Sequence, residues 1–143
     1  MKNKPLTIFF VLFLAGCSIP MVASLEKKPA YVRTSDPTKG IVYFYREGEY
    51  AGSMRGMYID VNGKRVGALN SGTYFVYETQ PGEINVSIED KLSKKQPTRK
   101  INIEAGKAYY VKGGIKFGMW DAVPAINLVM PEEGEGAVKE LTY

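Results

Sequence analysis

The sequence predicts an all-β domain, a sandwich or small barrel of about seven to nine short strands with at most a short C-terminal helix. Three observations lead there. β-branched and aromatic runs recur from Gly40 onward, punctuated by turn residues about every 8–12 positions. Several runs alternate apolar and polar residues with a period of two, as half-buried strands do. The gaps between runs are too short for the crossover helices that a parallel α/β sheet requires.

Ile41-Val42-Tyr43-Phe44-Tyr45 is apolar on both faces, the pattern of a central buried strand. Met57, Ile59 and Val61 alternate with Tyr58 and Asp60, a strand with one buried face. Asn62-Gly63 supplies the pair of positive-φ residues that a type I′ hairpin prefers, and Lys64–Leu69 returns from it. Asn70-Ser71-Gly72 breaks the chain before Thr73–Thr79, which ends at the turn signal Pro81-Gly82. Ile84, Val86 and Ile88 alternate with Asn85, Ser87 and Glu89, whose face should meet water. Ile101 and Ile103 resume that pattern. Ala105-Gly106 turns the chain into residues 108–111, and Gly113-Gly114 should break or bulge the run before Ile115-Lys116-Phe117. Residues 125–130 form a last apolar strand. Residues 132–141 have a helical composition apart from Gly134 and Gly136, so a helix there should be short and weak.

The segment Tyr58-Ile59-Asp60-Val61-Asn62-Gly63-Lys64-Arg65-Val66-Gly67 resembles the strand, Asn-Gly-Lys, strand, Gly hairpin of PEGA-like and transthyretin-like sandwiches. The similarity continues through Thr73-Tyr74-Phe75-Val76, Gln80-Pro81-Gly82 and Glu104-Ala105-Gly106-Lys107-Ala108-Tyr109-Tyr110-Val111. In order and spacing, these motifs resemble a family of bacterial lipoproteins built around a small domain of unknown function, over residues 40–141. The resemblance implies an Ig-like or transthyretin-like antiparallel β-sandwich. It brings no catalytic residues, and none is assigned.

The N-terminal segment has a different character. Lys2 and Lys4 precede a ten-residue apolar stretch, residues 6–15, and together residues 1–16 read as an export signal. Ten helical residues span only about 15 Å, too little for a stable transmembrane helix. Leu14-Ala15-Gly16-Cys17 resembles the lipobox of bacterial lipoproteins. That resemblance implies cleavage between Gly16 and Cys17, a diacylglycerol on the Cys17 sulfur and a third acyl chain on its new amino group. Ser18, following the cysteine, resembles the release signal for the outer membrane, so the expected location is the cell envelope, facing the periplasm. Residues 17–39, with Pro20, Pro29 and Pro37, read as the lipidated N-terminus and a flexible tether, and residues 40–143 as the folded domain.

Composition narrows function. At 143 residues the chain makes one domain, and its ten Tyr, six Phe and one Trp argue against disorder. Without His there is no Ser-His-Asp triad, no Cys-His nucleophile and no His-ligated metal. One Cys allows no internal disulfide. Removal of residues 1–16 takes two lysines with it, so the formal charge of +4 falls to +2. Lys91, Lys94, Lys95, Arg99 and Lys100, interrupted by Ser93, Gln96 and Pro97, read as a solvated loop, and no nucleic-acid partner is expected. No Asp-rich loop suggests calcium, and no metal or other cofactor is expected.

Three candidate chemistries remain. Asp60 and Glu78, if on neighbouring strands, could form a carboxylate pair for hydrolysis, and Ser53 or Ser71 could join a lysine as a nucleophile. Tyr43, Tyr45, Tyr74, Tyr77, Tyr109, Tyr110 and Trp120 could line one face as a glycan or peptidoglycan platform, or simply pack the sheets. Residues 113–123, with Phe117, Met119 and Trp120, are the best candidate interaction loop. The expectation is a non-catalytic envelope lipoprotein, held to membrane lipid through acylated Cys17, that binds an envelope protein. A glycan-binding module is the alternative, and a carboxylate or Ser-Lys hydrolase is a third.

Overall fold

The computed structural model describes residues 36–143. The expected export signal, the lipobox-like segment with Gly16 and Cys17, Ser18 and most of the expected tether lie outside the described residues.

The strands are β1 (Gly40–Arg46), β2 (Met57–Val61), β3 (Lys64–Leu69), β4 (Thr73–Thr79), β5 (Gly82–Asp90), β6 (Thr98–Ile103), β7 (Ala108–Phe117) and β8 (Ala122–Val129). A helix, α1 (Pro131–Glu140), follows. The strands form two four-stranded sheets, ordered β4-β1-β7-β8 and β3-β2-β5-β6. The chain is therefore an all-β sandwich with one short C-terminal helix.

Period-two patterning explains the layers. Val42 and Phe44 of β1, with Val111, Ile115 and Ile126, face Met57, Ile59, Ile84, Val86, Ile88, Ile101 and Ile103 of the second sheet. The alternate residues Ile41, Tyr43 and Tyr45 join Tyr74 and Tyr110 beneath Val138 of α1. Every residue of β1 is accordingly buried, as its two-sided apolar pattern requires. Asn62 (φ 50°) and Gly63 (φ 78°) both take the left-handed region at the β2–β3 turn.

The helix owes its place to two features. Pro131 opens it, with Glu132 and Glu133 in the first turn, where the helix dipole favours negative charge. Gly134, which costs helix propensity, is the point of contact: a Cβ there would collide with the Cβ and ring of Tyr110.

The structure departs from the sequence reading in four places. First, β1 and β7 pair in parallel, Ile41 opposite Ala108 through Tyr45 opposite Lys112, so the sandwich is not wholly antiparallel. Parallel neighbours need a long crossover; here the strands of the other sheet serve in place of a helix. Second, Gly113-Gly114 neither breaks nor bulges β7, which runs unbroken against β8, Gly113 opposite Ile126 and Gly114 opposite Ala125. A Cβ on Gly113 would lie 3.0 Å from Leu69 Cδ1 and 3.1 Å from Ile88 Cδ1, so that glycine makes room for the opposite sheet. Third, β8 begins at Ala122 and contains Pro124. It is an edge strand, where a missing N–H interrupts no ladder. Fourth, Lys91, Lys94 and Lys95 lie in a loop, whereas Arg99 and Lys100 belong to β6, where both are exposed.

Strand directions gather the connections into two sets. The β1–β2, β3–β4, β5–β6 and β7–β8 loops meet at one end of the sandwich, termed here the loop end. Residue 36, where the described chain starts, lies at the other end, with the β2–β3, β4–β5 and β6–β7 turns.

Candidate interaction site at the loop end

Buried ion pairs shape the loop end. Arg46, the last residue of β1, is fully buried; it donates to the carbonyls of Arg55 and of Gly52 (2.7 Å) and faces Glu49 at 3.7 Å. Gly52, at φ 79°, lets the loop turn against the core, where a Cβ would lie 2.5 Å from Ile115 Cδ1. Arg55 pairs with buried Asp90, whose Oδ1 also accepts the Leu92 N–H at 3.0 Å. The Arg55 guanidinium also reaches the Ala122 carbonyl at 3.4 Å. Lys95 bonds Asp121 at 2.9 Å, joining the β5–β6 loop to the tight Gly118–Asp121 turn. Three loops are thus pinned to one another by charge pairs at their bases.

Their tips are bare. Trp120 is 93% exposed, Met119 87% and Phe117 57%. Tyr50 and Met54 on the β1–β2 loop and Leu92 on the β5–β6 loop are also exposed. A shallow groove of about 410 Å³ runs between the loops, lined by Arg55, Leu92, Lys94, Lys95, Asp121 and Val123 among others. Composition singled out Phe117, Met119 and Trp120 but missed Tyr50, Met54 and Leu92. Single apolar residues between strands carry no periodic signal, and only topology brings them together.

The other candidates fare differently. Asp60 and Glu78 are not neighbours: β2 and β4 lie in different sheets. Asp60 bonds Arg65 at 3.0 Å, while Glu78 faces Lys39 at 4.0 Å. Arg65 also pairs with Glu89 and lies 4.2 Å from the centre of the Tyr58 ring. The hydrogen bond that the Arg65 guanidinium donates to Asp60 raises its pKa above the ordinary value. Ser71 accepts the Glu49 N–H at 3.0 Å, and Ser53 is exposed in the β1–β2 loop.

The tyrosines do not form an exposed row. Tyr43, Tyr45, Tyr74 and Tyr110 are buried, with Tyr43 and Tyr110 stacked at 5.1 Å. Tyr77 and Tyr109 are half-buried against the sandwich core. Burial, with the charges of Glu133 and Glu47 adding to it, pushes the Tyr45 hydroxyl up to about 12.

At the opposite end, a groove of about 450 Å³ is lined by Ile41, Lys107, Tyr110, Pro131 and Glu135 among others. Its Lys107 pairs with Glu104, whose hydrogen bond raises the ammonium group above its ordinary value. Among the described residues, no three His, Cys, Asp or Glu side chains gather as a metal site.

The model of the family DUF2846, described as a protein of unknown function, matches residues 36–124. The chain belongs to DUF2846. The DUF2846 match takes in all four connections at the loop end and stops inside β8, before α1. An uncharacterised protein of Haemophilus influenzae is 28% identical over 133 residues, covering 91% of this chain and 77% of that protein. Membership of DUF2846 thus agrees with a domain of unknown function and assigns it no activity.

Proposed function

We propose that this chain is an envelope lipoprotein, anchored in a membrane through acylated Cys17, whose β-sandwich is a non-catalytic binding or adaptor module. The observation that carries this reading is Leu14-Ala15-Gly16-Cys17 directly behind the apolar residues 6–15. One acyl chain binds a bilayer marginally, and two or more hold it firmly. Ser18 supports the outer membrane, with the domain in the periplasm.

The adaptor role is supported by what the side chains do. Asp60, Glu78, Glu89 and Asp90 each face a lysine or arginine rather than converging in a cleft. Among the described residues, six of the nine exposed large apolar groups stand at the loop end, with Phe117, Met119 and Trp120 foremost, away from residue 36; the other three are Leu128, Met130 and Tyr143. A glycan-binding alternative would have to rest on exposed aromatics such as Trp120 and Tyr50, because Tyr43, Tyr45, Tyr74 and Tyr110 are packed.

The test is membrane fractionation of wild type against Cys17→Ala, with incorporation of labelled palmitate. Labelled wild type should sediment with outer membranes, and Cys17→Ala should lose the label. Equal retention of both forms, without label, would overturn the anchor.

A further inference from the structure

We infer that the loop end is a membrane-contact rim that seats on an anionic phospholipid surface. The inference deepens the reading above by giving its contact surface a partner. Three observations carry it.

The first is the kind of exposure. Tyr50, Met54, Met119 and Trp120 stand almost wholly in water, with Leu92 and Phe117 more than half exposed, on three separate loops and, for Phe117, the adjoining end of β7. A folded protein partner is met best by a closed patch whose aromatic anchors already have neighbours. Apolar tips on separate loops suit a fluid medium that closes around each of them. Trp and Tyr favour the headgroup level of a bilayer, where the ring is half in hydrocarbon and half in water.

The second is charge. The carboxylates at this end are engaged: Glu47 with Lys112 at 2.7 Å, Glu49 with Arg46, Asp90 with Arg55, and Asp121 with Lys95. Lys94 and Lys116 remain exposed beside the apolar tips with no ion pair among the described residues, and Lys91 lies 5.4 Å from the Tyr58 ring. The surplus is cationic. It forms a collar immediately behind the apolar tips, as an acidic lipid surface requires.

The third is reach. Residues 17–39 separate the proposed acyl anchor from β1, and such a length can extend to roughly 75 Å. The ten-residue β7 is only about 33 Å long. The rim can therefore turn back onto the bilayer that holds the anchor.

Trp120 is the single tryptophan of the chain, so its fluorescence reports the rim alone. The full chain should be added to vesicles of phosphatidylethanolamine with phosphatidylglycerol, and to vesicles of phosphatidylcholine alone, with and without brominated acyl chains. On the anionic vesicles, Trp120 emission should shift to the blue and be quenched by bromine. Raising salt to 1 M, where the Debye length falls to about 3 Å, should reverse both effects. Lys94→Glu with Lys116→Glu should lower the ratio of docked to undocked Trp120 by roughly 30-fold or more, with the melting temperature unchanged.

Several results would overturn the rim. One is Trp120 left unquenched on both vesicle types. A blue shift growing with protein concentration without vesicles would assign the surface to a second copy. Protection of Trp120 by purified cell wall but not by vesicles would assign it to glycan. The anchor is read separately: a chain that floats with vesicles while Trp120 stays unquenched keeps the anchor and loses the rim. Quenching of a chain whose Cys17 carries no lipid does the reverse.

Discussion

Tyr43, Tyr45, Tyr74 and Tyr110 lie on the outer face of the β4-β1-β7-β8 sheet beneath α1, whereas Met119, Trp120, Tyr50, Met54 and Leu92 on loops, and Phe117 at the end of β7, lie open. Both regions are rich in large apolar groups, and both sit outside the inter-sheet core. Their fates differ because residues 131–140 follow β8 closely enough to fold back over one face. Val138, Ala137 and Leu141 supply the apolar side of that cover. Nothing comparable follows the loop-end turns, where Arg46 and Asp90 are buried at the base and the apolar tips point outward. Aromatic content therefore says little about exposure until the position of the cover is known.

The comparison can be broken most strongly at the base of the loops. Asp90→Ala would leave the mostly buried Arg55 guanidinium without its carboxylate partner and break the charge link between the β1–β2 and β5–β6 loops. Loss of one member of a buried ion pair costs about 3–5 kcal/mol, which denaturant unfolding would read as a large drop in the midpoint. A shift under about 1 kcal/mol would show that the pair does not organise this end.

On the covered face, Gly134→Ala should push α1 away from Tyr110. Overpacking costs about 1–3 kcal/mol and should outweigh the helix propensity gained. Gly136→Ala is the internal control. Nothing lies within 4 Å of a Cβ there, so it should stabilise by up to about 1 kcal/mol. Thermal melts of the two variants should move in opposite directions.

Tyr45 sharpens the same face through pH. Its hydroxyl is buried with no hydrogen-bond partner among the described residues, and burial holds it protonated up to about 12 against an ordinary value of 10. Between those values the unfolded chain releases this proton and the folded chain keeps it. Its contribution is thus complete below pH 10 and is lost as pH rises toward 12. Tyr45→Phe should change stability by no more than about 1 kcal/mol at pH 7. It should also flatten the alkaline decline, measured as denaturant midpoints from pH 9 to pH 12.

The smallest effect on stability is expected at the tips. Trp120→Ala and Met119→Ala should each shift it by less than about 0.5 kcal/mol, since neither side chain is packed. The Met119→Ala form should nevertheless quench less on anionic vesicles. A large destabilisation by either variant would mean that the tips are structural.

Much of the sandwich was legible in the sequence because its signals are local. Alternation marked β2 and β5, two-sided apolarity marked β1, and Asn62-Gly63 needed only its own backbone to declare a turn. Reading faltered where one residue type serves two causes. Gly113 and Gly134 looked like weaknesses, yet each is small because another element presses against it. The last strand, expected over residues 125–130, begins earlier at Ala122 and takes in Pro124, which sits on an edge strand. The candidate carboxylate pair failed for the same reason: adjacency of Asp60 and Glu78 depends on sheet order, which no local pattern encodes.

By itself the sequence determined the class of fold, most strands and turns, and the exclusion of histidine chemistry. These follow from residue types and short spacings, where covalent connectivity sets the geometry. Tertiary structure alone decided the parallel pairing of β1 with β7, the burial of four tyrosines under α1, and the meeting of three bare loops at one end. Those depend on contacts between residues far apart in the chain, and their energies are realised only once the sheets have closed on each other.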